Sequence, residues 1–476
     1  MTQFLHGVEV IEVASGARPV RTVSSAVIGI VGSAPKGPIN APTVVTSATE
    51  AAQIFGTPTL AGWASGFTLP DALTLLFAQA RPVVVVINVL DPAVDKTTVA
   101  AADLAINATT KTITLNKKWV REVVVKVAGG GGSALVAGTD YSLDAEAGVI
   151  TILPGGALAA AAQANVAFAW IDPSKVDAAQ IIGSTLGDGS RTGTLALKDA
   201  QSVTGISPRI ILAPGWTHQR TGGNANTVVA SLLGVANTLR AVVIADGPNT
   251  TDADAITYSN DWGSARIFIV DPWVKANDSQ TGEVVAQPAS SAVAGLIAKV
   301  DTESGFWHSP SNHDIAGIVG TGRGVEFTLG DAASRANLLN AENVATIIRQ
   351  EGYRLWGNRT VSLDPQFAFL AVRRTADIIQ DSVMRAHLWA VDRPITRNYV
   401  ESLVESVNAY LRTLQSLGAI LGGKCWADPD LNTAATLSQG VIYLNFDFTP
   451  VYPAEHIVFR SKITNDYLTE LFADAA

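Results

Sequence analysis

The sequence predicts a multidomain chain that combines α/β and α+β parts: an α/β core domain, a small all-β domain inserted into it, and an α+β C-terminal domain. Three observations carry this reading. Val83 to Leu90 is a largely β-branched run, apolar except for Asn88, the pattern of a strand buried on both faces of a parallel sheet. Between residues 96 and 178, short β-prone segments separated by glycine-rich turns replace the helix and strand alternation. Beyond residue 361, amphipathic helical patterns precede a strand of regular alternation, with Ile442, Leu444, Phe446 and Phe448 on one face.

Taken in order, Val8 to Val13 is a short strand with apolar residues on both faces, followed by the loose linker Ala14 to Pro19 instead of a hairpin turn. Such a strand needs a partner from far along the chain or from another chain. Ala26 to Val31 reads as a strand and Thr46 to Phe55 as a helix. Leu69 to Gln79 is a second helix, with Pro70 and Asp71 suited to its first turn. In the insertion, strands are expected at 111–115, 122–127, 140–143, 149–153 and 166–171. The α/β pattern then resumes with strands at 209–212, 241–245 and 266–270 and helices at 227–239 and 290–303. Near the C-terminus, Gln366 to Val372 reads as strand-like and leads into an amphipathic segment. A second amphipathic run spans Thr396 to Leu417.

Composition narrows the function classes. Charged residues make up 16% of the 476, below the ~25% of ordinary soluble domains. A weakly repelling surface suits a protein that buries much of itself against partners. The net charge of -9 argues against nucleic-acid binding, which needs clustered Lys and Arg. One cysteine, Cys425, excludes an intrachain disulfide framework. The N-terminus lacks a signal-peptide pattern, and no apolar run of 18 residues occurs, so a soluble cytoplasmic product without membrane insertion is expected.

Catalytic motifs are weak. Gly418 to Cys425 meets the spacing G-x4-G-K, but Cys425 stands where Ser or Thr should hold Mg2+. A helix precedes this loop, whereas a phosphate loop runs from strand into helix. The expected structure is a helix stop and a turn, with a nucleotide-binding enzyme using Gly418 to Lys424 as the alternative. Gly32-x4-Gly37 is followed by Pro38 in place of lysine. Gly320 to Gly324 reads as a loop. His308 and His313, with Asp314, lack the i, i+4 spacing of a helical zinc pair. No G-x-S-x-G elbow or triad spacing is present. No enzyme activity, metal or cofactor is expected.

Charge placement near the C-terminus says more. Arg373, Asp377, Asp381 and Arg385 follow one another at intervals of four, opposite a stripe of Ala376, Ile379, Val383 and Ala390. Such a face is either solvated and salt-bridged or docked on a partner of complementary charge. After Pro450, Ile457 to Phe459 is β-prone, and the Asn465 to Phe472 tail carries Tyr467, Leu468, Leu471 and Phe472.

Trp356-Gly357-Asn358-Arg359-Thr360, the junction Val372-Arg373-Arg374-Thr375 and the stretch Thr449 to Ile457 together resemble the tail sheath proteins of contractile phages. Gly7-Val8-Glu9-Val10 and Val27 to Pro35 look like the N-terminus of the same family. The nearest likeness is to sheaths of P2-like myophages and R-type tailocins, over nearly the whole chain. The resemblance implies a subunit that stacks as hexameric rings around an inner tail tube and contracts to drive the tube through a target envelope. It implies strand exchange between copies, placed by position on Val8, Val10, Ile11 and Val13, on Tyr467, Leu468 and Leu471, and on a receiving sheet with Ile442, Leu444, Phe446 and Phe448. Tail tube, baseplate and tail terminator proteins are the implied partners, in a virion tail or tailocin particle put together in the host cytoplasm. Arg373, Arg374 and Arg385 are the candidate tube-facing residues. A non-contractile self-assembling shell is a further alternative. The resulting organisation is an N-terminal arm (1–25), a discontinuous core domain (26–95 and 179–360), the inserted domain (96–178), and an assembly domain with its C-terminal arm (361–476).

Overall fold

The computed structural model describes residues 19–58, 66–278, 282–465 and 467. Strands β1 (Val27–Gly32) and β2 (Thr43–Val45) are followed by helices α1 (Ala48–Phe55) and α2 (Leu69–Phe77), then by β3 (Val83–Asn88). Ser47 caps α1 by accepting from the Glu50 backbone N–H. Six strands come next: β4 (Lys96–Ala105), β5 (Thr112–Thr114), β6 (Val120–Val127), β7 (Tyr141–Asp144), β8 (Val149–Ile152) and β9 (Gln163–Ile171). They form two antiparallel sheets, β4-β9-β6 and β5-β8-β7, around their own apolar cluster of Ile113, Val125, Ile150, Val166 and Phe168. β4 escapes the sequence reading because it is alanine-rich and largely exposed, so neither propensity nor alternation marks it.

The chain then returns to the first sheet. Helices α3 (Ala178–Ile182) and α4 (Ala200–Thr204) precede β10 (Ile210–Leu212), α5 (Thr227–Leu239), β11 (Val242–Asp246), α6 (Asp252–Ser259) and β12 (Ile267–Val270). A side sheet uses β13 (Val274–Asn277), β14 (Val284–Gln287) and β15 (Gly320–Thr321), with α7 (Ser290–Glu303) between the last two. Helix α8 (Arg335–Ala341), β16 (Val344–Arg349) and β17 (Tyr353–Trp356) complete the region.

The large sheet runs β17-β16-β12-β11-β10-β1-β3-β2. Its inner pairs are parallel, and antiparallel strands β17 and β2 close the two edges. Strand alternation splits the core in two. Ile28, Val84, Val86, Leu212 and Ile244 pack against α2 and α7 on one face. Val31, Val85, Ile87, Ile211 and Val243 pack against α5 on the other. Full burial of each such side chain contributes about 1.5–3 kcal/mol.

The C-terminal part begins with a correction. Residues 366–372 are not strand-like: a 3-10 turn at Pro365–Phe367 leads into helix α9 (Leu370–Ala386). Leu370, Ala371 and Val372 are consecutive and buried because the helix begins where the chain is enclosed on several sides, which hides its periodicity. Helix α10 (Arg397–Ser416) follows, then β18 (Ile420–Ala427), the short α11 (Ala434–Ser438) and β19 (Leu444–Pro450). β18 and β19 pair antiparallel, with an irregularity between Ile420 and Gly422. This hairpin lies on α9 and α10 over a cluster of Ile379, Val407, Leu411, Leu414 and Cys425. Val20 joins that cluster, so the described chain starts on the C-terminal part before it enters β1. The fold is thus mixed α/β and multidomain.

Candidate assembly site

The site has three parts: a two-stranded hairpin, an exposed apolar segment after it, and a charged helix that fixes both to the central sheet.

Among the described residues β18 pairs only with β19, and β19 only with β18. No third strand covers either outer edge, but Asn408 and Gln415 of α10 bond the Cys425 and Leu421 backbone groups of β18, which leaves β19 as the more open template for an added strand. Leu444, Phe446 and Phe448 point toward the α10 cluster half-buried, with the Phe446 and Phe448 rings stacked at 6.2 Å. Ile442 lies just before the strand. It lines a cavity of about 430 Å³ with Val400 and Leu437. Val8, Val10, Ile11, Val13, Leu468 and Leu471 lie outside the described residues. Tyr467 is described and exposed.

From Val451 to Thr464 the chain has no regular secondary structure, including at the β-prone run 457–459. Arg359 anchors its beginning, donating from Nε to the Glu455 carboxylate at 2.8 and 3.0 Å. The Phe369 and Tyr452 rings also meet edge to face. Beyond this anchor Phe459 is 91% and Ile463 97% exposed. Uncovered side chains of that size are a mark of surfaces completed by a partner.

Helix α9 turns its charged face inward. Asp377 accepts two hydrogen bonds from Arg266, at 2.6 and 2.8 Å, and two from Arg373. Asp381 pairs with Arg209 and lies 2.8 Å from Arg385. Arg374 forms a buried pair with Asp301 of α7 and donates to the Ser25 carbonyl. Arg209 and Arg266 stand just before β10 and β12, so the two aspartates, one helical turn apart, read the N-terminal ends of central strands. The expected alternatives for this face, solvation or a foreign partner, give way to an interdomain contact. Arg374, one of the candidate tube-facing residues, is held in this contact, with its side chain 3% exposed. Arg373 is largely enclosed too and stacks on Phe367. Arg385 stays partly open. The sequence reading missed Arg209, Arg266, Asp301 and Arg240, which lies 3.6 Å from Asp381. Its available signal was an arginine opening each of two otherwise apolar strands.

The Gly418 to Lys424 stretch has no phosphate-loop geometry. Gly418, at φ +77°, ends the helix as expected, but the chain then enters a strand, not a turn. Lys424 Nζ sits over the Trp426 ring, and its backbone N–H donates to Asp447. No helix N-terminus follows to face a phosphate. Among the described residues no group of three or more His, Cys, Asp or Glu could hold a metal, and no helix is long and apolar enough to cross a membrane.

Sequence comparison decides the family. The tail sheath protein of Burkholderia phage BcepMu is 38% identical over 482 residues, covering 98% of each chain. The chain belongs to the phage tail sheath family. The family's C-terminal domain model, described as "Phage tail sheath C-terminal domain", matches residues 362–464, and its "Phage tail sheath protein central domain" matches 189–361. Residues 91–180 match a family described only as a protein of unknown function. The tail sheath protein of Escherichia phage P2 is 29% identical, covering 99% of this chain and 98% of that one. A putative prophage major tail sheath protein of Pseudomonas aeruginosa is 46% identical over 313 residues, 65% of this chain and 80% of that one. Among solved structures, the contracted helical sheath of the anti-feeding prophage shares the fold at a TM-score of 0.59 and 18% identity, covering 98% of this chain and all of that one. The PVC sheath in its contracted state matches at 0.57 and 14%, covering 98% and 99%. This sheath protein is a structural subunit of a contractile tail. Two of the stretches that carried the resemblance meet in space, since Arg359 of Trp356 to Thr360 holds Glu455 of Thr449 to Ile457.

Proposed function

We propose that the subunits of this sheath protein join by strand addition to the β18–β19 hairpin, stacking as hexameric rings around an inner tube. The observation that supports this reading is a two-stranded sheet that, among the described residues, has no third strand on either edge and is most open along β19, on the domain where the described N-terminal residues begin and the apolar C-terminal segment departs. Main-chain hydrogen bonds would supply affinity, and the buried side of the hairpin keeps its register. Val8 to Val13 and the Tyr467 to Phe472 segment are the proposed donor strands. The proposed tube contact moves from Arg373 and Arg374 to Arg385 and the exposed connection after α9, where Arg393 and Arg397 stand beside Leu388 and Val391. Baseplate, tube and terminator proteins are the proposed partners, with assembly in the host cytoplasm.

Electron microscopy of the purified chain tests this. Striated hollow tubes are expected from the full chain, and folded monomers without tubes after deletion of residues 1–14. Normal tubes from the deletion variant would remove the exchange mechanism. A single lattice that never changes length would favour a non-contractile shell.

A further inference from the structure

In open parallel sheets, ligands bind outside the carboxyl ends of the strands, where the strand order reverses direction. In this sheet the reversal lies between β1 and β10, because β1 continues to β3 on one side and to β10 on the other. The loop leaving β1 is tied to the start of α2. The Ser33 backbone N–H donates to Thr68 Oγ1 at 3.1 Å, and the Thr68 backbone N–H returns a bond to Ser33 Oγ. A side chain at Gly32 would run into Thr68 and Leu69, so glycine is what lets α2 close over the strand end. What remains of the crevice is a cavity of about 10 Å³ lined by Thr68, Asp71, Pro214, Gln287 and Ser291 among others.

Three of these side chains, Asp71, Gln287 and Ser291, are at least 97% buried. Gln287 Nε2 and Ser291 Oγ reach no hydrogen-bond partner in the protein. Two buried polar atoms left in this way carry a desolvation cost that native folds seldom leave uncompensated. The cavity is about the least volume that holds one water molecule, roughly 10–15 Å³, and far below the ~300 Å³ of a small-molecule pocket.

We infer that the strand-order reversal of this sheet holds one buried water molecule, bridging Gln287 Nε2 and Ser291 Oγ beside the Asp71 carboxylate. The water accepts from the amide and exchanges a hydrogen bond with the hydroxyl. It thereby ties the start of α7 to the end of β14, beside the first turn of α2. An amide donor pointing into the site selects water over a cation, which would require five or more oxygens around it. The crevice is a structural water site where related layouts carry a ligand.

A structure of the full chain at about 2 Å, in crystals or in tubes, tests this. A single peak is expected at ~2.7–3.2 Å from both atoms. An empty crevice with Gln287 turned to bond Ser291 directly would overturn the inference, as would a peak with oxygen distances near 2.3–2.5 Å and several carboxyl or carbonyl ligands. A double-mutant cycle reads the same bridge without density. Gln287→Leu and Ser291→Val should each lower the midpoint of thermal unfolding, and the double variant should lose less than their sum. Strictly additive shifts would mean that the two groups share no bridging molecule.

Discussion

The central sheet and the C-terminal hairpin are both β-structure, yet one is finished and the other is not. The central sheet has both faces covered, and both of its edges end in short antiparallel strands. The hairpin has two strands and one covered face, and among the described residues no third strand lies on either edge. A lone hairpin is marginal in water, and this one is held by α10 beneath it. The difference separates two jobs. The central region supplies stability to the subunit, while the hairpin leaves backbone valence for its neighbours. Helix α9 connects them through buried ion pairs, so the unfinished sheet is presented at a fixed angle to the finished one.

The largest test of that division is Asp381→Ala. It leaves Arg209 buried beside an apolar methyl, and a loss of about 3–5 kcal/mol in urea unfolding is expected. Replacing the pair together, Arg209→Met with Asp381→Leu, should recover most of it. A small effect of Asp381→Ala alone would mean that the two regions are not rigidly coupled.

Next in size is a pH effect confined to the central region. Burial pushes Asp246 up to about 6, against the hydrogen bonds it accepts from Ser290 and Thr217. Burial lowers His218 to about 4. Between pH 4 and 6 the folded chain holds a proton on Asp246 that the unfolded chain has lost, so that contribution falls as pH rises. Over the same range the unfolded chain holds the His218 proton, so that contribution grows as pH rises and is complete above the ordinary histidine value. The two slopes oppose. Asp246→Asn should therefore expose a rise of up to ~1.4 kcal/mol per pH unit between pH 4 and 6, where the parent is nearly flat in these two terms.

Smaller still is the effect of the arm deletion on the monomer. Removing residues 1–14 should move the unfolding free energy by less than about 0.5 kcal/mol while abolishing tubes, because Val20 and the contacts after it remain. A large loss would show that the hairpin is completed within its own chain. The smallest change is expected for Arg397→Ala. Arg397 is 90% exposed and, among the described residues, pairs only with Glu401 one turn away, so stability should shift by no more than ~0.5 kcal/mol. Its readout is tube attachment.

Much of the central fold is legible in residue order because most of its buried strands are short apolar runs, as at Val83 to Ile87, although the buried β16 escaped the reading. The C-terminal part is less so. β18 contains Gly422, Gly423 and Lys424, residues with low strand propensity, and owes its conformation to pairing with β19 and packing on α10. The start of α9 is buried all round, so its period is masked. The charged face of that helix shows its regular spacing in sequence, but the spacing is silent on whether water, a partner or Arg209 and Arg266 lies opposite. Only the fold brings strand starts 57 residues apart in sequence to the two aspartates. The buried polar crevice has no local signature, since Asp71 joins Gln287 and Ser291 from more than 200 residues away.

The stretch from Val20 to Ala26 crosses α9 and α10 and then becomes β1 without a break. Val23 N–H donates to Ser382 Oγ, Thr22 reaches the Tyr410 hydroxyl, and Arg374 grips the Ser25 carbonyl. β1 sits between β10 and β3 in parallel register on both sides. Tension arriving from ahead of Pro19 thus meets the polar clasp on α9 and α10 first. What passes the clasp pulls along the axis of an interior strand. Its ladder bonds are then loaded together in shear instead of peeling one by one, the geometry in which a sheet resists extension best.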